Sequence, residues 1–209
     1  MSDYRCTPYC APFVEIEKKK VALLTEIRRR HPRARNIYKI VRSRGTEDHK
    51  AFFKMYNDKC CYCGCSVTVL SVQSFEVDHI KPQAAFPERS ADVNALPNLS
   101  LACRKCNGGK LAFWSKEMNG EWNPDNGGIT RLFYRDNFYN ILINEGFDLN
   151  PVVLELYDKL KLKEQIRRLD YLLMSLDGYI NSLSQESKKR DQLSSICYEL
   201  IKKRNHVGI

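Results

Sequence analysis

Two Cys-x-x-Cys pairs, Cys60 with Cys63 and Cys103 with Cys106, bracket an Asp-His step at Asp78-His79 and run straight into Asn107. Each pair presents two sulfurs on one side of a turn, and four thiolates form the tetrahedral set that a structural Zn²⁺ takes. The interval between the pairs is longer than in a small zinc ribbon, so a sizeable insert separates the two knuckles. Cys61 and Cys65 offer rival pairings, although Gly64 directly after Cys63 suits a tight turn and favours Cys60 and Cys63. The insert carries harder donors. Asp78 supplies a carboxylate, and Asn107 supplies an amide oxygen whose place the clamp would hold. Such oxygens suit Mg²⁺ or Mn²⁺, which keep water and phosphate in their remaining positions. On a regular strand His79 points to the opposite face from Asp78, and a neutral imidazole serves as a general base near pH 7.

Asp78-His79, Asn98 and the run from Cys103 through Cys106-Asn107 to Lys110 resemble the HNH endonucleases, in their four-cysteine, McrA-like branch. The likeness is confined to the stretch from Cys60 to Lys110. It implies an α+β fold, in which a zinc-stabilised ββα-metal finger is flanked by N-terminal and C-terminal helices. It also implies roles: His79 as general base, Asn98 as the brace of the loop between the two strands, and Asp78 with Asn107 as ligands of the catalytic divalent ion. Lys110 stands where the family usually has a lysine and is the first choice for a DNA-backbone contact, with Arg104 and Lys105 beside it. The implied activity is metal-dependent hydrolysis of DNA phosphodiester bonds, double-stranded DNA being the expected substrate, in restriction or anti-phage defence. Two alternatives stand beside it. HNH chains with helical tails are similar to nuclease subunits governed by an ATPase partner, and a zinc module could bind nucleic acid without cutting it.

The formal net charge is +9, and its distribution is uneven. Lys and Arg outnumber Asp and Glu by 15 to 7 over residues 1–72, whereas the counts are 6 to 7 over 73–128 and 13 to 11 over 129–209. The basic excess therefore belongs to the start of the chain and suits a polyanionic partner. No apolar run approaches transmembrane length and no signal-peptide core opens the chain. Nine cysteines, of which four have metal spacing, point to a reducing cytoplasm rather than a disulfide framework.

Three segments follow: a basic arm and helix over 1–45, the zinc-bearing nuclease domain over 46–128, and a mainly helical region over 129–209. The apolar spacing of Val21, Leu24 and Ile27 predicts a helix over 14–30, closed by Pro32. Eleven basic residues and one acid, Glu26, lie between Lys18 and Arg44, a run expected to meet DNA phosphates. Thr46 reads as a helix cap, and Phe52, Phe53, Met55 and Tyr56 as the packing face beneath the knuckle, with His49 on the surface. Strands are expected over 75–80 and 98–102, joined by a proline-bearing loop over 81–97, with a helix starting near Arg104 whose free N–H groups favour a phosphate. Trp114 and Trp122 read as packing anchors. The 123–128 turn cluster marks a boundary, and 131–139 reads as part of a small strand pair covering the core. Leu162, Ile166, Leu169, Leu173, Leu176, Ile180 and Leu183 form a heptad seam on one long helix, with Gly178 softening its end. That tail, 162–204, either folds on its own domain or offers a docking or self-association surface. Cys6 and Cys10 on the arm read as ordinary thiols.

Overall fold

A computed structural model describes residues 3–86, 91–118 and 120–206. Three helices precede the finger: α1 (Ile16–Arg30), α2 (Ile37–Arg42) and α3 (Glu47–Met55). Thr46 caps α3 as expected, its hydroxyl accepting from the His49 N–H at 3.2 Å. Asn36 does the same for α2, accepting from Lys39 at 3.0 Å. Phe52, Phe53, Met55 and Tyr56 are buried, so α3 turns its apolar face to the core.

The finger consists of β1 (Phe75–His79), β2 (Leu99–Cys103) and α4 (Arg104–Lys110). The strands pair antiparallel, with Asp78 opposite Ser100 and His79 opposite Leu99. Glu76 and Asp78 thus share a sheet face with Ala102 and Ser100, and α4 packs on that face. The 81–97 stretch contains short 3₁₀ turns at Gln83–Ala85 and Ala91–Asn94; residues 87–90 of the expected loop lie outside the described residues.

After the 123–128 turn come α5 (Gly128–Leu132) and a hairpin of β3 (Phe133–Arg135) and β4 (Ile141–Ile143). Then follow α6 (Pro151–Lys159), α7 (Gln165–Ser182) and α8 (Lys188–His206). One apolar cluster runs from Tyr4 through the knuckle, both finger strands and the β3–β4 hairpin to Met174. Trp122 is fully enclosed and meets Trp114 edge-on at 5.6 Å, so both tryptophans serve packing.

The tail departs from the heptad reading. Helix α7 begins only at Gln165, and its buried face carries Arg167, Asp170, Leu173, Met174 and Ile180. Ile166, Leu169 and Leu176 of the seam are half-exposed. Gly178 is explained by close approach: a Cβ there would lie 2.5 Å from Cβ of Tyr9, because the N-terminal arm crosses the helix at this point. Gly109 has the same reason, since a Cβ would meet the Lys159 carbonyl oxygen at 2.0 Å where α6 ends against α4. No described helix is long and apolar enough to cross a membrane.

Candidate active site and zinc site

The knuckle is attached to the sheet before any metal is considered. The Gly64 N–H donates to the Cys60 carbonyl at 2.9 Å, and the Cys61 N–H donates to the Leu101 carbonyl of β2 at 2.8 Å. Cys103 ends β2 and caps α4, and Cys106 follows one turn later. The ligand sulfurs of Cys60, Cys63, Cys103 and Cys106 all lie within 4.8 Å of one another, and all four residues are buried. The Cys63 and Cys103 sulfurs are 3.8 Å apart. A tetrahedron with Zn–S bonds of about 2.3 Å has edges of about 3.8 Å, so spacing and donor chemistry both fit zinc. Cys61 and Cys65 stand outside the set, which resolves the rival pairings.

Four thiolates around Zn²⁺ leave two net negative charges in a dry site, and Arg167 of α7 answers them. Its Nη1 lies 3.2 Å from the Cys63 sulfur, its Nη2 lies 3.2 Å from the Cys106 sulfur, and Nη2 also donates to the Leu160 carbonyl at 2.9 Å. Only 2% of the residue is exposed. Burial alone would favour losing the proton, but the sulfur charges of Cys106, Cys63, Cys103 and Cys60 outweigh it and hold the guanidinium charged. Asp170, one turn further along α7, takes a two-pronged bond from Arg204 of α8 at 2.7 and 3.1 Å.

On the other side of the finger, His79 is half-exposed and its ring lies on Tyr38 of α2, centroids 4.6 Å apart. Its Nε2 is 3.1 Å from Oδ1 of Asn94. An amide oxygen accepts, so this contact favours the tautomer with its hydrogen on Nε2. Asn98 spans the mouth of the inter-strand loop: Oδ1 accepts from the Lys81 N–H at 2.9 Å, while Nδ2 donates to the carbonyls of Lys81 at 2.9 Å and Val93 at 3.0 Å.

Asp78 is buried. Its Oδ2 accepts from the Tyr62 hydroxyl at 2.7 Å and faces Lys110 Nζ at 3.3 Å. Its Oδ1 makes no hydrogen bond among the described residues. Burial pushes the Asp78 carboxyl upward, with Lys110 and Tyr62 pulling the other way. Asn107 is half-exposed and directs its Nδ2 to Glu76 Oε2 at 2.7 Å, while its side-chain oxygen has no donor among the described residues. Among the described residues each expected ligand therefore keeps one unengaged oxygen, but the direct partner of Asn107 is Glu76 rather than Asp78.

The expected phosphate contacts divide. Lys110 is fully enclosed, with its ammonium on Asp78 and on the His79 carbonyl at 3.0 Å, so it faces inward and not toward a duplex. Lys105 pairs with Glu164, and Arg104 reaches Glu76 at 3.1 Å while staying largely exposed. Within the basic run, Lys20 is buried against Asp125 and Arg30 pairs with Asp48. Arg42 and Arg44 line a cleft of about 520 Å³ with Tyr38, Glu76, Arg104 and Asn107. His49 also borders this cleft, its Nδ1 held 2.8 Å from the Val41 carbonyl and its ring on Phe53, so it is a packed residue and not a free surface one.

The chain thus carries a ββα finger with a buried four-cysteine cluster, and it leaves His79 and Asn107 half-exposed. Residues 60–112 match the family model of the HNH endonucleases. No curated protein and no solved structure matches the chain.

Sequence reasoning missed Glu76, Asn94, Tyr38, Tyr62 and Arg167. Glu76 had a signal, since it sits two residues before Asp78 and shares its strand face. Asn94 and Tyr38 had none, because only loop closure and the packing of α2 bring them to His79. Arg167 lies among apolar heptad positions and reads as an ordinary solvated cation.

Proposed function

We propose that the chain is a metal-dependent endonuclease that hydrolyses DNA phosphodiesters, in restriction or anti-phage defence. The observation that carries this reading is His79 in a half-exposed position with its Nε2 against the Asn94 amide oxygen; the tautomer this contact favours leaves Nδ1 to act as a base. Nδ1 takes a proton from a water molecule, and the oxygen attacks phosphorus opposite the departing 3′ oxygen. Tyr38 keeps the ring plane fixed, and Asn98 holds the loop that carries Asn94. Arg42, Arg44 and Arg104 draw the phosphate backbone into the cleft. Asp78 and Asn107 would hold the divalent ion through their unengaged oxygens, Mg²⁺ or Mn²⁺ by donor type, with Glu76 as a further carboxylate beside Asn107. When bound, that ion neutralises charge building on the phosphate and on its leaving oxygen.

The competing reading, a zinc module that binds nucleic acid without cutting it, is favoured by one feature: Asp78 already has Lys110 and Tyr62 as partners. A cleavage assay on plasmid, single-stranded DNA and RNA, with Mg²⁺, Mn²⁺ or chelator, separates the two. His79→Ala is expected to lower DNA cleavage by about 10²- to 10⁴-fold with zinc content and DNA binding retained. Equal cleavage by the variant and the parent would remove His79 as base. Salt-dependent DNA binding with no divalent-stimulated nicking by the parent would support the binding module.

A further inference from the structure

Two thiols on the N-terminal arm are used by neither the zinc site nor the proposed hydrolysis. Seven of the nine cysteines are buried, and only Cys6 and Cys10 are half-exposed. The arm is fixed on the knuckle: the Tyr4 hydroxyl donates to the Tyr62 carbonyl, and Arg5 donates to the carbonyls of Cys61 at 2.7 Å and Pro124 at 2.9 Å.

Between arm and knuckle stands Lys59, only 2% exposed. Its Nζ lies 3.5 Å from the Cys6 sulfur and 3.6 Å from the Cys10 sulfur, and it also donates to the Ala11 carbonyl. The Phe13 ring closes another side at 4.4 Å. Among the described residues no carboxylate forms an ion pair with this ammonium. A buried ammonium needs a counter-charge; the two sulfurs lie within 3.6 Å of it, and the Asp3 carboxylate interacts with it from further away.

The two thiols are not equivalent. The Thr7 N–H donates to the Cys10 sulfur at 3.0 Å, whereas the Cys6 sulfur receives no backbone donor. The neighbouring Cys6 thiol is the main influence holding the Cys10 thiol well below the usual thiol range, and Thr7 and Lys59 act in the same direction against burial. The Cys10 thiol beside it, together with burial, pushes Cys6 up. Cys10 also borders a cavity of about 190 Å³ walled by Lys59, Ser66, Thr68, Met174 and Asp177.

We propose that Cys10 and Cys6 form a hydroperoxide-reactive dithiol, with Cys10 as the nucleophile, Cys6 as the resolving thiol and Lys59 as the cation that stabilises the attacking thiolate. The Cys10 thiolate attacks one oxygen of the peroxide. The O–O bond breaks, the departing hydroxide takes a proton to become water, and Cys10 becomes a sulfenic acid. Cys6 then forms the S–S bond; its proton and the sulfenic hydroxyl leave as a second water. Two thiols lose two electrons, one peroxide gains them, and an external thiol reverses the change. The zinc thiolates do not compete on equal terms, since they are buried and Arg167 covers two of them.

The test uses the zinc-loaded full chain, treated with equimolar hydrogen peroxide, alkylated with iodoacetamide and mapped by mass spectrometry. The expected product is a Cys6–Cys10 disulfide that dithiothreitol reverses, with zinc content unchanged. Cys6→Ser should stop at a Cys10 sulfenic acid that dimedone traps, and Cys10→Ser should leave Cys6 fully alkylatable at the same dose. Lys59→Met should slow oxidation of Cys10 by about tenfold, as the thiolate fraction falls. Oxidation of the zinc ligands with loss of metal while Cys6 and Cys10 stay alkylatable would overturn the proposal. So would the absence of a dimedone adduct on Cys10 in Cys6→Ser.

Discussion

The two sides of the finger handle charge in opposite ways. On the zinc side four sulfurs are buried, their spacing matches a closed tetrahedron, and Arg167 supplies a cation from another helix. On the histidine side the donors are mixed in exposure: Asp78 is enclosed, whereas His79 and Asn107 are half-exposed, and Asn107 lines a cleft with Arg42, Arg44 and Arg104. A structural metal is served by closure, because every ligand position is filled by protein. A hydrolytic site has to keep room for phosphate and water. The same short helix, α4, carries Cys106 of the sulfur cluster and Asn107 of the cleft.

Breaking the closed side should have the largest effect. Cys63→Ser removes one of four thiolates, and structural zinc in small domains contributes on the order of 10 kcal/mol to folding. The expected result is loss of bound zinc and of the cooperative thermal transition, read by metal analysis and calorimetry. A variant with full zinc and an unchanged transition would show that the cluster is not the buttress.

The buried Lys110–Asp78 pair tests the link between the two sides. Lys110→Met leaves Asp78 enclosed without its cation, a change expected to cost about 3–5 kcal/mol. The Asp78→Asn, Lys110→Met double variant should recover part of that loss. The pH response gives the sign. The folded-state Asp78 carboxyl lies above its ordinary value, so the native state holds that proton more tightly than the unfolded chain does. Stability from this group is fully present below the unfolded carboxyl value and is lost as pH rises through the raised folded one. Removing Lys110 pushes the folded value higher still. Lys110→Met should therefore recover relative to the parent as pH falls toward the carboxylate range, in thermal melts followed across that window.

The smallest effect sharpens the comparison on the zinc side alone. Arg167→Met keeps the apolar stem and removes the N–H donors to Cys63 and Cys106. Loss of such an outer partner is expected to weaken zinc by about 10- to 100-fold, measured by competition with a chromogenic chelator. Cleavage under saturating zinc should change far less than it does in His79→Ala.

Much of the finger was legible in the residues themselves. The Cys-x-x-Cys spacing pointed to the four clustered cysteines, the first strand expected over 75–80 is found at Phe75–His79, and Thr46 announced the start of α3. The tail was read less well. A regular apolar repeat from Leu162 to Leu183 suggested a seam, but the face turned inward carries Arg167 and Asp170, because the thiolate cluster outweighs the usual cost of burying a guanidinium. Lys110 shows the same reversal: a lysine beside a nuclease motif reads as a phosphate contact, yet its ammonium is consumed by Asp78.

By itself the sequence determined the donor types, their order and the local turns that present them, since ligand chemistry and capping depend on near neighbours along the chain. Only the tertiary structure decided which charges face solvent and which face one another. Asn94 and Tyr38 at His79, Glu76 at Asn107, Arg167 at the sulfurs and Lys59 between two thiols are all meetings of distant segments. Burial and electrostatic pairing at those meetings depend on packing, and no spacing rule along one strand or helix contains it.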